Sequence, residues 1–172
     1  DASAIAPMVS WGTSPQASVP VTARVPDDAA SAMLDYMALA AGTPLIGTAI
    51  DAAFIGSCTN ARLSDLRRAA ALLKGRKVAP GIRAICVPGS SAVRRAAEAE
   101  GLDRVFLDAG FEWRMSGCSM CFFAGGESFA EGSRVISSTN RNFESRQGLK
   151  VKTHIASPET VAASAIAGAI AD

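Results

Sequence analysis

Short apolar runs alternate with segments of helical period along this chain. Residues 52–55, Ala-Ala-Phe-Ile, are uniformly apolar and read as a buried strand. Beyond a polar turn, Leu63, Leu66, Ala70 and Leu73 recur at three- and four-residue spacing. That spacing predicts a helix over 62–74, closed by Gly75. The unit then recurs: a strand at 83–87, the turn Pro88-Gly89-Ser90-Ser91 with a serine N-cap, and a helix over 92–100 ended by Gly101. A further apolar run at 105–108 reads as a strand, followed by Ala109-Gly110. Runs at 133–137 and 151–155 predict two more strands. Ser157-Pro158 then offers an N-cap and a first-turn proline for a helix reaching about residue 171. Strand–helix alternation with short turns predicts an α/β fold of three layers, α/β/α, around a mostly parallel sheet with helices on both faces.

Two stretches fall outside this rhythm. Residues 1–26 hold Pro7, Pro15, Pro20 and Pro26 and read as an extended, looped opening segment, with a short strand at 18–23. Asp27 or Asp28 is placed to cap a helix over 29–41, with Met33, Leu34 and Met37 on its apolar face and Gly42 as its stop. Residues 111–132 are rich in Gly and aromatic side chains and have no clean period.

Length and charge narrow the picture. A chain of 172 residues suits one domain, spanning 1–172. A domain of that size buries roughly 70% of its unfolded surface without disulfide staples. Seventeen basic and 16 acidic residues leave a net charge of +1. Nothing there points to nucleic acid or an anionic membrane. No apolar run is long enough to span a bilayer, no signal-peptide pattern opens the chain, and the cytoplasm is the expected compartment. The chain opens at Asp1 on text that reads as the middle of a protein, so a fragment of a longer chain is expected.

The chemistry concentrates in cysteines. Cys118 and Cys121 sit three apart in Gly117-Cys118-Ser119-Met120-Cys121, and Cys58 stands in Gly56-Ser57-Cys58-Thr59-Asn60. Cys58 follows a strand and precedes a helix, where open α/β sheets place their ligands. A lone Cys-x-x-Cys admits a redox pair, a metal site or buried small residues. Three thiolates without a fourth leave a metal centre one open position, which suits Lewis-acid chemistry such as removal of hydroxide. Cys86 lies mid-strand and reads as core. Arg141 and Arg146 share a polar loop with Asn140 and Asn142. Guanidinium forks match carboxylates, and two in one loop suit a di- or tricarboxylate. His154 and both tryptophans read as structural.

Taken together, these motifs resemble the aconitase family. The resemblance runs through Trp11-Gly12-Thr13-Ser14-Pro15, Phe54-Ile55-Gly56-Ser57-Cys58-Thr59-Asn60, residues 81–89 and 108–114, Gly117-Cys118-Ser119-Met120-Cys121 and Ser138-Thr139-Asn140-Arg141-Asn142-Phe143-Glu144. It implies the iron–sulfur domain type of that family. Cys58, Cys118 and Cys121 would hold a [4Fe–4S] cluster, and Arg141 and Arg146, with Asn140, would bind a dicarboxylate hydroxyacid. The implied reaction is a hydro-lyase isomerisation that moves a hydroxyl between adjacent carbons, in the leucine-pathway branch of the family. The resemblance also implies absent parts: earlier domains carrying aspartates and histidines, and a small swivelling subunit carrying a serine base. No catalytic acid or base is then expected in this fragment, which should hold the cluster poorly and turn over nothing alone. A hydro-lyase of another substituted malate and a non-catalytic iron-sensing module are the alternatives. Two departures from the family pattern bear, in turn, on the loop's shape and on the substrate. Ser145 stands where the family usually has glycine, and Phe122-Phe123-Ala124-Gly125-Gly126-Glu127 replaces a usual Asn-containing segment.

Overall fold

In a computed structural model, which describes residue 1, residues 4–123 and residues 126–172, five short parallel strands form the frame of the molecule. An antiparallel ribbon of β1 (Met8–Ser10) and β2 (Ser18–Pro20) and a short helix α1 (Ser31–Met37) precede them. The sheet and its helices follow as β3 (Ala52–Ile55), α2 (Leu63–Leu73), β4 (Arg83–Cys86), α3 (Ser91–Ala99), α4 (Leu102–Ala109), β5 (Phe111–Trp113), β6 (Arg134–Ser137), β7 (Lys152–Ile155) and α5 (Pro158–Ala167). A 3-10 turn occupies Ser119–Cys121.

Strand order is β5-β4-β3-β6-β7, every pairing parallel, with Phe54 opposite Ile85 on one side and Ser137 on the other. Strict alternation sorts the buried side chains. Ala53, Ile55, Ala84, Cys86 and Ile136 face a large core shared with Leu66, Leu73, Phe106, Val161 and Ala165. Ala52, Phe54, Ile85, Val87 and Val135 face a smaller one closed by Met120, Phe129 and Val151. The helices after β3 and β4 therefore lie on the first face. The return from β5 to β6, and the step from β6 to β7, cross the second face. Right-handed crossovers demand this switch, because the chain reverses its direction of travel across the sheet after β5. On the second face the expected third layer is built from loop segments and the 3-10 turn around Met120 and Phe129.

Alanines at 69, 70, 162 and 165 let α2 and α5 approach closely. Their N-termini are pinned by polar contacts. Asp65, buried, accepts from the backbone N–H of Arg62 (3.0 Å) and from Arg68 (2.9 Å), and Arg68 pairs in turn with Glu159 of α5. Ser157 and Ser90 cap α5 and α3, accepting from Thr160 N and Val93 N at 3.1 Å.

Two sequence expectations are corrected. Residues 105–108 are not a strand; they belong to α4. Leu102, Val105, Phe106 and Ala109 sit at helical spacing, between Gly101 and Gly110, which both take positive φ. Three consecutive apolar residues fit either element, and the caps decide. The strand comes after Gly110, where Phe111 and Trp113 pack on Phe106 with ring centroids 5.3 and 5.5 Å apart. Likewise α1 is shorter than 29–41: neither aspartate caps it, and it stops at Ala38, which takes positive φ. Gly42 instead donates its N–H to Val25 O (2.9 Å).

Candidate functional site

The carboxyl ends of β3 and β6 lie side by side at the point where strand order reverses, the crevice where open α/β sheets bind ligands. Beyond the paired residues the two chains stay joined. Ser138 N donates to Phe54 O (2.9 Å). The Ser138 hydroxyl accepts from Gly56 N (2.9 Å) and donates to Gly56 O (3.0 Å). Asn60 returns a bond from Nδ2 to Ser138 O (2.8 Å). Ser138 is fully buried, so these bonds are shielded from water. They fix the loop that carries Cys58.

That loop is also shaped by what it lacks. A Cβ on Gly56 would stand 2.3 Å from Cζ of Phe54, itself fully buried. Ser57 takes φ +95°, and its hydroxyl accepts from the N–H groups of Thr59 and Asn60. A Cβ on Gly89 would stand 3.0 Å from Ala61 O, so the β4–α3 turn presses directly on the Cys58 loop. Gly56→Ala should therefore destabilise the chain by roughly 1–3 kcal/mol through overpacking. Urea unfolding measures it; a change below about 0.5 kcal/mol would mean the Phe54 ring is free to shift.

The Cys-x-x-Cys segment approaches from the second face. Met120, between the two cysteines, is buried among Phe54, Ile85 and Phe129, and Cys121 N donates to Cys118 O (2.8 Å). The result is a single cavity of about 250 Å³ lined by Ser57, Cys58, Gly89, Gly117, Cys118 and Cys121. All three cysteines line it, although Cys58 and Cys118 stand sixty positions apart. None is in a disulfide; Cys58 and Cys118 are exposed and Cys121 is half-buried. Cys86 is in the core, where burial pushes its thiol well above the ordinary range. Among the described residues, no group of three or more His, Cys, Asp or Glu side chains is gathered so as to hold a single metal ion.

Asn140 and Arg141, both exposed, line a second cleft of about 400 Å³ together with Thr13, Ser14, Pro15, Asn142 and Phe143. Asn142 holds that cleft in shape: it is buried and donates from Nδ2 to Gly12 O and to Ser10 Oγ. Arg146 sits elsewhere. It is 8% exposed and lines neither cavity. Its Nε donates to Cys121 O (2.7 Å), its Nη2 lies 3.4 Å from Cys121 Sγ, and its guanidinium lies 5.2 Å from the Phe143 ring centre and 5.9 Å from that of Phe122. The two arginines thus meet different surroundings despite sharing a loop. Ser145 takes φ +59°, a conformation suited to glycine, and its hydroxyl accepts from Lys150 N (3.1 Å). Ala124 and Gly125, part of the departure after the cysteines, lie outside the described residues.

His154 is fully buried and apart from both cavities. Nδ1 donates to Ser10 O (2.7 Å), and Nε2 accepts from Arg134 (2.8 Å). Burial, with help from the Arg134 charge, lowers its pKa to about 4. Its role is structural, as its place in a strand suggests.

Sequence comparison decides the lineage. The profile of the Aconitase family (aconitate hydratase) matches residues 1–168. The chain belongs to the aconitase family. Within that family it is 66% identical over 182 aligned positions to the 3-isopropylmalate dehydratase large subunit of Cupriavidus necator, covering all of this chain and 68% of the relative. It is 54% identical to the 3-isopropylmalate dehydratase large subunit 1 of Bradyrhizobium diazoefficiens, covering all of this chain and 38% of that longer relative. The aconitase-family resemblance seen in the motifs thus extends along the whole chain, and a five-stranded parallel sheet flanked by helices is consistent with that family.

Proposed function

We propose that this chain is the cluster-ligand domain of a [4Fe–4S] hydro-lyase that interconverts 2-isopropylmalate and 3-isopropylmalate by dehydration and rehydration, in cytoplasmic leucine biosynthesis. The observation that carries the reading is the convergence of Cys58, Cys118 and Cys121 on one cavity at the sheet's reversal point. The relatives' names, each a dehydratase large subunit, support the substrate and a small partner subunit.

The donor set fits a cluster better than an ion. One zinc ion needs its sulfurs about 2.3 Å from a single point. A cubane cluster takes each thiolate on a different iron, so its ligands stand around a volume. Three cysteines on the lining of one cavity are a donor set of the second kind. When bound, the cluster would supply a Lewis-acidic iron with one position unclaimed by protein.

The chain's own residues would then bind and orient. Arg141 and Asn140 face the open cleft and are suited to a substrate carboxylate. Arg146, held against Cys121 O and Sγ, would complete the substrate set from behind that residue. The base that removes the proton would come from the remaining domains or the small swivelling subunit, so the chain alone should be inactive.

The test is anaerobic reconstitution of the chain with iron and sulfide. With iron and sulfide in excess, the weakly held cluster should reach up to about four irons and as many sulfides per chain, with a broad visible absorbance and no turnover of 3-isopropylmalate. Uptake of a single metal without sulfide would replace the cluster reading with a mononuclear site.

A further inference from the structure

Two adjacent residues, Arg146 and Gln147, bond with their side chains to the Cys-x-x-Cys segment and accept with their carbonyls from residues beyond it. Phe123 N donates to Arg146 O (2.8 Å), and Phe129 N donates to Gln147 O (3.0 Å). The side chains return the contact. Arg146 Nε reaches Cys121 O (2.7 Å), and Gln147 Nε2 reaches Met120 O (2.7 Å). Within the 3-10 turn, Cys121 N donates to Cys118 O (2.8 Å).

Gln147 is the better-anchored of the pair. It is 1% exposed. Its Oε1 accepts from the Thr153 hydroxyl in β7 (3.0 Å), and its Nε2 also lies 3.3 Å from Ser137 Oγ at the end of β6. Thr153 and Ser137 are themselves buried on paired strands. Met120 O can only accept, so the amide is oriented with its N–H toward it and its Oε1 toward the Thr153 hydroxyl. The carbonyl between the two cysteines is thus tied through one side chain to the two strands on that side of the sheet.

We infer that Gln147 is the positioning residue of the Cys118–Cys121 turn, fixing where the two sulfurs stand before any cluster binds. Its meaning for the reaction rests on the proposed cluster site; its geometry does not. Only a side chain with a donor and an acceptor at one end does this work. Glutamate would set an oxygen against Met120 O. Methionine would fill the space and leave Met120 O and Thr153 Oγ1 unpaired in a dry site.

The test reads the thiols directly. The reduced, metal-free 172-residue chain is alkylated under native conditions, and the rates at Cys118 and Cys121 are taken relative to Cys58 by tandem mass spectrometry. In Gln147→Met and Gln147→Glu the Cys121-to-Cys58 ratio should rise about fivefold, the factor that loss of one buried hydrogen bond corresponds to. Thr153→Val, which frees the amide to turn without removing it, should raise the ratio roughly twofold. Ser164→Ala is the control: it deletes a buried hydroxyl that bonds Ala171 on the opposite side of the sheet, and it should lower stability with no change in the ratio. Ratios in the Gln147 variants equal to those of Ser164→Ala would overturn the inference. Should Gln147→Met not fold, Thr153→Val decides by the same comparison. A wild-type chain that takes up no iron would count against the cluster reading alone, since the thiol ratios need no metal.

Discussion

Lowering the pH from 7 to 4 is expected to remove about 3 kcal/mol of stability through His154 alone. The unfolded chain protonates this imidazole near its ordinary value of 6.5, whereas the folded chain resists until about pH 4. Between those values the unfolded state binds more protons, so stability is fully present above the unfolded value and falls as pH drops through the window. The cause is geometric. Nε2 accepts from Arg134, whose guanidinium is also held by Met37 O, and Nδ1 already donates to Ser10 O. A proton on Nε2 would face a cation bonded to the carbonyls of Met37 and Ala38. Equilibrium urea unfolding at stepped pH measures the effect, with His154→Gln as the reference, since an amide can keep one donor and one acceptor without titrating. The acidic side chains titrate in both proteins and cancel in the difference. Equal slopes for the two would assign the acid loss to carboxylates instead.

Serine at position 58, 118 or 121 is expected to abolish stoichiometric iron uptake, while serine at 86 leaves it intact. Iron binds thiolate, and a serine hydroxyl does not ionise near neutral pH. The three cavity cysteines stand on two loops, so each loss leaves a pair that cannot enclose a cluster. Cys86 faces the core from mid-sheet, and its replacement should cost about 1–3 kcal/mol of stability by burying a hydroxyl. Iron and sulfide counts per folded chain separate these outcomes. Iron uptake that survives Cys58→Ser but not Cys118→Ser would assign the metal to the Cys-x-x-Cys turn alone.

The strands at 52–55, 83–86, 134–137 and 152–155 were legible because a strand buried on both faces reads as a continuous apolar run. So were Cys58, Cys118 and Cys121, whose residue type and spacing are local signals. The run at 105–108 misled because its helical partners, Leu102 and Ala109, lie just beyond it. Gln147 gave no signal at all: its partners Met120, Ser137 and Thr153 come from three separate stretches, and a buried amide is recognised only by what it touches. Arg146 was legible as a charge but not as a neighbour of Cys121, twenty-five positions away.

β3 sits at the centre of the sheet, yet one of its two neighbours arrives late in the chain: Gly56 bonds Ser138 across 82 positions. The first neighbour, β4, follows through a single helix. During synthesis, at roughly 5–20 residues per second, the β3–β5 half emerges first and can collapse on its own nearby contacts. Through that interval β3 keeps an unpaired apolar edge, and the thiols of the two loops meet solvent separately. Docking of β6 closes the edge and the crevice in one step. Proximity of Cys58 to the Cys-x-x-Cys turn is thus a late event on the folding pathway, and a chain halted before β6 would expose both a sticky strand and three unprotected thiols.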